Sequence, residues 1–309
     1  MPSLVSECLV IVAYKRADNL KEIIERALFA NVGNIYISID CAKTAQDSLE
    51  VEKVETVARH YSELYKGQVR FVKRKVNFGS SNNVRTSISE AMEFFEDVIV
   101  LEDDCIPAAD FFKFCDVAFD YMSDNPQVVL SSGSQFVLEG DYFPVLSIYP
   151  LIWGWCINRV SWNRLQDAFR PQAVGDPLPS NLGRAERAFW RNGRRRSLNG
   201  YIDAWDIPLA AYMLSNNLLA LHSPVNLVTN SGDDSVALHV RQNDPFCNRQ
   251  TGEFLGLISA PVQIPTYDRW LRRKLFKIRI WHPVTGFIRK AIEFYLRPVD
   301  KRDHIHSPN

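Results

Sequence analysis

The chain has 309 residues, of which 46% are hydrophobic and 23% are charged, a composition typical of a folded protein with a buried core rather than of a disordered or collagen-like chain. Its 36 basic and 36 acidic residues cancel, which argues against a strongly basic nucleic-acid-binding protein. The balance is uneven along the chain, because Asp268–Arg297 contains nine Lys and Arg residues against two acids.

Six cysteines are scattered without any CxxC pair, which favours reduced thiols over a disulfide framework or a zinc site. The first residues lack the basic start and the cleavage site of a secretory signal, and no apolar stretch approaches the roughly 18 residues of a membrane-spanning helix. We therefore expect a cytoplasmic protein that would meet a membrane only at its inner surface.

The first hundred residues predict alternating strands and helices. Buried strands are predicted at Glu7–Ala13, Ile35–Asp40, Val69–Val72 and Val98–Leu101. Helices are predicted between them, beginning at Asp18 or Asn19, near Asp47, and at Asn82 or Asn83. This alternation with short connections favours an α/β fold with a mostly parallel sheet flanked by helices.

Polar residues follow the end of each predicted strand. They are Tyr14–Arg16, Asp40, Asn77 and Glu102–Asp104. Because ligands of open parallel sheets bind just beyond the carboxyl ends of the strands, we expect these residues to share one edge of the sheet.

The motifs narrow the chemistry at this edge. No GxxxxGK[ST] is present and no GxGxxG follows the first strand, which argues against a P-loop kinase and a nicotinamide-dependent dehydrogenase. Instead, Glu102–Asp104 directly follows the strand VIVL. Carboxylate oxygens suit Mg²⁺ or Mn²⁺, which complete their shell with water and substrate phosphates. These acids predict a diphosphate site, although they could instead offset the dipole of a helix beginning near Ala108.

At these residues the chain resembles the GT-A glycosyltransferases. VIVAYKRADNLKEIIERAL, YISID and NFGSSNNVRTSISEAMEFFEDVIVLEDDCIP are similar to their nucleotide-sugar-binding half, particularly in the branch that includes N-acetylglucosaminyltransferase I, whose acidic motif is EDD. LIWGWCINRVSW resembles the WGW block of bacterial sugar transferases, and PVNLVTNSGDDSVALH resembles their closing segment. The resemblance covers about residues 8–240.

The resemblance implies a GT-A-like (Rossmann-like) fold and a metal-dependent transfer of a sugar from a nucleoside diphosphate sugar, by preference a UDP-sugar, to an acceptor hydroxyl. Asp104 would bind Mn²⁺ or Mg²⁺ together with His239. Tyr14, Arg16 and Asp40 would line the nucleoside pocket. The full set of implied donor-binding residues is Tyr14, Arg16, Asp40, Asn77, Arg85, Asp103, Trp153, Gly154 and Trp155.

Transfer with inversion needs a base for the acceptor hydroxyl. Trp205–Asp206 resembles the Trp-Asp pair that carries this base in the N-acetylglucosaminyltransferase I branch, so Asp206 is the predicted catalytic residue and Asp203 the alternative. Either could instead cap the helix predicted to follow. Trp153, Trp155 and Trp162 could stack on sugar rings or pack in the core. The arginine-rich Arg184–Arg196 could close over the diphosphate, but a solvated helix face is favoured.

These features divide the chain into a nucleotide-sugar-binding half (1–140), a continuous acceptor-side half (141–265) and a basic amphipathic C-terminal helical extension (266–309). Asp268–Arg297 suits an anionic membrane surface, or a helix packed on the domain with a basic outer face. The predicted acceptor is a saccharide or a lipid-linked saccharide in bacterial surface polysaccharide or glycolipid biosynthesis. No nucleic acid partner is predicted.

Two other functions remain open. A nucleotidyltransferase has a related sheet and an acidic metal site, but normally also a glycine-rich signature near its first strand, which AYKRADN lacks. A non-catalytic module of a polysaccharide assembly complex could keep the nucleotide-sugar fold without its activity.

Overall fold

The computed structural model describes residues 7–136, 143–232, 244–256 and 260–278. Within these ranges, strands and helices alternate at first and then become irregular. The strands are β1 (Cys8–Ala13), β2 (Asn34–Ile39), β3 (Val69–Lys73), β4 (Asp97–Glu102), β5 (Cys105–Pro107), β6 (Val128–Ser132), β7 (Val145–Ser147), β8 (Trp155–Asn158), β9 (Leu219–His222), β10 (Val228–Asn230) and β11 (Val262–Gln263). The α-helices are α1 (Ala17–Phe29), α2 (Ala45–Leu64), α3 (Gly79–Ala91), α4 (Asp110–Asp124), α5 (Arg159–Leu165), α6 (Arg184–Leu198), α7 (Asp206–Ser215) and α8 (Pro265–Trp270).

The described residues form a nine-stranded sheet in the order β11-β7-β9-β6-β8-β4-β1-β2-β3. Strands β1, β2, β3 and β4 are mutually parallel, and β6 and β9 run in the same direction. Strand β8 is antiparallel to both of its neighbours, β4 and β6, and β7 and β11 also run against the majority. The predicted α/β fold with a mostly parallel sheet flanked by helices is confirmed.

Strand β1 shows why the sheet is covered on both faces. All six of its residues are buried, and alternate side chains enter two different cores. Leu9 and Ile11 pack with α1, α2 and α4, whereas Val10 and Val12 pack with α3 and α7. A strand buried on both faces needs a continuous apolar run rather than an alternating one, and ECLVIVA supplies it.

The start of α3 differs from the prediction. The helix begins at Gly79, three residues before Asn82, because its first amides are bound by side chains from other parts of the chain. Asp40 accepts from Gly79 N, and Asp203 accepts from Ser80 N and Ser81 N. The predicted cap Asn83 is buried instead, and its Oδ1 accepts from Ser38 Oγ.

The arginine-rich segment forms α6 and is not a loop. It is not uniformly solvated either, because Arg194 is buried and donates to the backbone oxygens of Val174 and Asp176. Its Glu186 pairs with Arg272 at 3.2 Å.

The described beginning of the basic extension packs on the domain. Tyr267, Leu271 and Ile278 are buried, and Ser147 Oγ donates to Asp268 Oδ1 at 2.6 Å. Residues 279–309 lie outside the described ranges, so membrane contact through Asp268–Arg297 stays a prediction. Among the described residues, none of the helices combines the length and the apolarity that crossing a bilayer demands.

Gly154, in the loop before β8, lets strand β10 pack closely against that loop because it has no side chain. Its φ is +72°, and a Cβ at this position would lie well inside 3.0 Å of Val228 Cγ2 and 3.2 Å from Leu101 Cδ2. We expect Gly154→Ala to lower the free energy of unfolding by about 3 kcal/mol, for two reasons. An alanine is strained in the left-handed backbone conformation, and its Cβ would be packed too closely against Val228. Urea denaturation measures this. Gly175→Ala, where the added Cβ meets nothing within 4 Å, is the control, and equal stability of the two variants would contradict the packing argument.

The buried Glu7 and the half-buried Asp116 form a pair of carboxyl groups near the amino end of β1. Glu7 precedes β1 and is 4% exposed. Burial, together with Asp116 of α4, raises the pKa of Glu7 to about 8 from an ordinary value of 4.5. The folded chain therefore retains a proton that the unfolded chain releases near pH 4.5, and stability is lost as the pH rises from 4.5 to about 8.

Glu7→Gln should remove this loss. We expect the variant to gain stability over the parent chain as the pH rises from about 5 to about 9, by about 1.4 kcal/mol for each unit of pKa difference. Chemical denaturation at several pH values measures the difference. Glu52→Gln, at an exposed position of α2, should show no such trend. A constant difference for Glu7→Gln across this range would refute the shifted pKa.

Candidate functional site

A cavity of about 200 Å³ lies at the carboxyl ends of β1, β2 and β4, and it is called the donor cavity here because predicted donor-binding residues line it. The structure brings together there five of the nine predicted donor-binding residues, the predicted metal ligand Asp104 and one of the two predicted bases, Asp203. The five donor-binding residues are Tyr14, Arg16, Asp40, Asn77 and Asp103, with Gly79 and Glu102 beside them.

Asp103 holds the loop between β1 and α1. Its Oδ2 accepts from Tyr14 N at 2.7 Å and from Lys15 N at 3.1 Å, and its Oδ1 accepts from the Arg16 guanidinium at 2.9 Å. The carboxylate is buried, and its acceptor positions are used on the loop. Asp103 therefore sets the positions of Tyr14 and Arg16 at the wall of the donor cavity.

Asp40 and Asp203 hold the start of α3 from two sides. Asp40 accepts from Cys41 N and Phe78 N at 2.8 Å each and from Gly79 N at 2.9 Å. Asp203 accepts from Ser80 N at 2.7 Å and from Ser81 N at 2.8 Å. Both carboxylates thus bind amides that a helix N-terminus would otherwise leave unpaired. The capping interpretation holds for Asp203, but the capped helix is α3 rather than the helix that follows it.

Asn77 joins the loops that follow β2 and β3. Its Nδ2 donates to Cys41 O at 2.6 Å and to Asp40 Oδ2 at 3.2 Å. The side chain of Asn77 therefore connects two loops of the donor cavity through hydrogen bonds.

Among the lining residues that were not predicted as site residues are the charged Lys43 and Asp47, and Lys15 was marked only by its position after β1. Asp47 accepts from Tyr14 Oη at 3.0 Å and pairs with Lys15 Nζ at 3.0 Å, and the Lys15 hydrogen bond is the main reason why the pKa of Asp47 falls to about 2. Lys43 N donates to Tyr14 Oη. Both Lys43 and Asp47 could have been found from the sequence, because they lie in the loop and the first helical turn that follow the buried strand before Asp40.

The acidic centre of the site is Glu102 and Asp104. Burial raises the pKa of Glu102, and the charges of Asp104, Asp103 and Asp206 add to the rise. Burial and the charge of Asp103 likewise raise the pKa of Asp104, against the effect of Arg16, whose guanidinium lies 4.0 Å from Asp104 Oδ2. The charged forms of both carboxyls are thus disfavoured in the chain alone, and a divalent cation bound beside them would stabilise these forms.

Asp104 also contacts the two residues that directly follow strand β10. Its backbone oxygen accepts from Ser231 N at 2.8 Å, and a Cβ on Gly232 would lie 2.7 Å from its Oδ2. Within the described ranges, no three His, Cys, Asp or Glu side chains form a group able to hold a metal ion. The donor set fits Mg²⁺ or Mn²⁺ held by a single carboxylate, since such ions take further ligands from water and phosphates. His239 lies outside the described residues.

Asp206 lies at a second cavity, of about 340 Å³, the aromatic cavity. It is the first residue of α7 and is half-buried. Its charge contributes to the raised pKa of Glu102, which lines the donor cavity. Asp206 therefore lies in the wall of the aromatic cavity and within electrostatic reach of a residue of the donor cavity.

The tryptophans divide between core and cavity. Trp155 and Trp162 are buried; Trp155 stacks on Trp205 with ring centroids 5.4 Å apart, and Trp162 Nε1 donates to Ser89 Oγ. Both have the core-packing role rather than the sugar-stacking role. Trp153 is half-buried and lines the aromatic cavity, in edge contact with Phe136.

Three predicted donor-binding residues lie outside the linings of both cavities: Gly154, Trp155 and Arg85. Gly154 is required by the packing of Val228. The Arg85 guanidinium lies 4.1 Å from the centroid of the Phe169 ring, and burial lowers its pKa.

Comparison with known proteins gave no matching family model and no matching curated protein. Among solved structures, the chain is similar to mannose-1-phosphate geranyltransferase from Thermus thermophilus, with 10% identity over 71% of this chain and 74% of that chain and a TM-score of 0.36. It is also similar to UDP-glucose pyrophosphorylase complexed with UDP-glucose, with 10% identity over 70% and 89% and a TM-score of 0.34. The bifunctional glycosyltransferase WbbM gives 12% identity over 69% and 38% and a TM-score of 0.35. Similarities this distant assign no activity, so the function rests on the site itself.

Proposed function

We propose that the protein is a metal-dependent glycosyltransferase that moves a sugar from a nucleoside diphosphate sugar, by preference a UDP-sugar, to an acceptor hydroxyl. The observation that carries this proposal is the presence of two unlike cavities, with Asp206 in the wall of the aromatic cavity and within electrostatic reach of Glu102 in the donor cavity. One is lined by cations and strand-end carboxylates, and the other is lined by aromatic residues and carries Asp206 at its wall. Two substrates and a base between them are what a transfer reaction needs.

The donor cavity supports the diphosphate part of the proposal. Lys15, Arg16 and Lys43 supply positive charge at its wall, and the Tyr14 ring offers an aromatic face for a nucleobase. Asp103 holds Arg16 through its carboxylate and the loop amides, so this cation is fixed before a ligand arrives. Cations fixed in advance stabilise the charge that develops on a departing diphosphate.

Asp104 is the proposed ligand of Mn²⁺ or Mg²⁺, with His239 as a second candidate. A bound divalent cation would neutralise diphosphate charge and so favour its departure. Asp104 supplies the carboxylate for this ion, while its backbone oxygen anchors Ser231 and keeps the Gly232 backbone against the site.

Asp206 is the proposed base. Its carboxylate would accept the proton of the acceptor hydroxyl as that oxygen attacks the anomeric carbon from the face opposite the diphosphate, which inverts the configuration. Asp203 is a poorer candidate because both of its oxygens accept from the amides of α3.

The proposed acceptor is a saccharide or a lipid-linked saccharide of a bacterial surface polysaccharide or glycolipid pathway. Asp268–Arg297 supports this through its cations and apolar residues, which suit the anionic inner face of a cytoplasmic membrane. Peripheral attachment there is part of the proposal.

The first experiment is the thermal stability of the purified chain with UDP-, GDP-, dTDP- and CMP-sugars, each with and without Mn²⁺. A ligand that binds only the folded chain raises Tm, by an amount that grows with ligand concentration. We expect a metal-dependent rise with one nucleotide family, and absence of any rise would overturn the proposal.

The products then separate the related enzyme classes. A glycosyltransferase releases a nucleoside diphosphate from the donor. A nucleotidyltransferase instead makes pyrophosphate from a nucleoside triphosphate and a sugar 1-phosphate. Donor binding without either product would favour the non-catalytic module.

A further inference from the structure

The aromatic cavity is large enough for part of a substrate. Its volume of about 340 Å³ falls at the lower end of the roughly 300–1,000 Å³ of small-molecule sites, and it exceeds the roughly 150 Å³ cavity that accommodates benzene in an engineered protein. It is lined by Phe136, Pro150, Leu151, Ile152, Trp153, Phe189, Trp190, Asp206, Ile207, Ala210, Leu275 and Phe276.

The wall of this cavity selects hydrocarbon over saccharide. Five of its side chains are aromatic, and Asp206 is the one ionisable side chain among its lining residues. A sugar ring buried there would leave most of its hydroxyls unpaired, and each unpaired buried hydroxyl is costly. A hydrocarbon gains about 25 cal/mol for each Å² of apolar surface that it removes from water.

One polar atom of the wall has no partner. Trp190 is buried, and its Nε1 has no hydrogen-bond acceptor within the described part of the chain. Buried indole N–H groups usually find an acceptor, and an oxygen at the polar end of an otherwise apolar ligand would supply one.

Two exposed cations directly precede two wall residues of the cavity in the chain. Leu275 and Phe276 belong to its wall, and Arg273 and Lys274, directly before them, are exposed. Among the described residues, Arg272 pairs with Glu186, whereas the ion pairs include none with Arg273 or Lys274. An apolar cavity with two cations beside it complements an amphiphile with an anionic headgroup.

We infer that the aromatic cavity binds the hydrocarbon chain of an amphiphilic acceptor, whose phosphate-type headgroup lies beside Arg273 and Lys274. This inference rests on the proposed function and narrows its acceptor to a hydroxyl-bearing amphiphile that carries both a hydrocarbon chain and a phosphate. Because Asp206 lines the same cavity, the acceptor hydroxyl of such an amphiphile would have to lie at this wall.

The test measures binding of octyl phosphate below its critical micelle concentration by isothermal titration calorimetry, with the full chain. Octyl glucoside supplies the same hydrocarbon without charge, and inorganic phosphate supplies the charge without hydrocarbon. We expect octyl phosphate to bind most tightly and inorganic phosphate to bind weakly or not at all.

Two variants locate the ligand. Phe189 is 38% exposed, so Phe189→Ala should fold, and we expect it to weaken octyl phosphate and octyl glucoside at least about fivefold. Phe29→Ala, at a position 83% exposed on α1, should change neither affinity. The double variant Arg273→Gln, Lys274→Gln should weaken octyl phosphate alone.

The inference fails if octyl phosphate does not bind, or if Phe29→Ala and Phe189→Ala weaken it equally. If the double variant binds octyl phosphate as tightly as the unmodified chain does, the assignment of the headgroup to Arg273 and Lys274 is wrong. Donor binding is measured separately through the Mn²⁺-dependent rise in Tm with UDP-sugars. A donor response without octyl phosphate binding removes only this inference, whereas loss of the donor response removes the proposed function.

Discussion

Replacing Asp206 with asparagine should reduce kcat by about 10²–10⁴-fold while leaving the donor KM within a small factor of its original value. Asparagine keeps the shape of the side chain but cannot accept a proton at neutral pH. The donor cavity does not include Asp206 in its lining, so the residues proposed to bind the nucleotide stay in place. Steady-state rates of nucleoside diphosphate release, at varied donor and acceptor concentrations, measure both parameters.

Asp203→Asn provides the contrast three residues away. It removes one of the two carboxylate oxygens that accept from Ser80 N and Ser81 N, and we expect it to lower the free energy of unfolding by about 1 kcal/mol. The two variants thus separate a chemical role from a capping role. If Asp203→Asn loses most of its kcat while Asp206→Asn stays active, Asp203 is the base instead of Asp206.

Asp104→Asn should abolish the Mn²⁺-dependent part of donor binding. The amide has lost the negative charge that attracts a divalent cation, and among the described residues no group of three ligating side chains can take its place. Thermal shifts with the preferred UDP-sugar, with and without Mn²⁺, measure the effect. The expected result is a shift that no longer depends on the metal.

The matched control for this prediction is Asp124→Asn, at an exposed position at the end of α4. It should retain the full metal-dependent shift. If Asp104→Asn also retains it, Asp104 is not the metal ligand, whatever the activity of the variant.

The donor half of the fold was predictable because its signals are local. The apolar runs of β1 to β4 and the helical periodicity between them mark a parallel sheet, and the carboxyl ends of parallel strands must share an edge. Tyr14, Asp40 and Asp104 could therefore be placed near one another from their positions at the ends of these strands.

The roles of individual side chains at that edge were harder to predict, because they depend on partners distant in sequence. Asp203 caps α3, which lies more than 120 residues earlier in the chain. Asp103 lines the donor cavity and also accepts from the backbone amides of the β1–α1 loop. Nothing in the spacing of these residues distinguishes a carboxylate that binds amides from one that faces a cavity.

The WGW block shows the same limit. A tryptophan in a sequence is equally suited to stack on a sugar or to fill a core, and burial alone decides between the two. Trp155 enters β8, between β4 and β6, and is buried, whereas Trp153, two residues earlier, lines the aromatic cavity. The insertion of a short antiparallel strand at this position has no local signature.

That insertion bears on how the two predicted halves of the chain depend on each other. Strand β8 comes from the acceptor-side half, yet it hydrogen-bonds to β4, the strand that ends in Glu102, and to β6. A fragment that stopped before β8 would leave the edges of β4 and β6 without a shared partner, and open strand edges promote aggregation. The sheet thus joins the two predicted halves, and we expect the strand that ends in Glu102 to be paired along both edges only once β8 has folded against it.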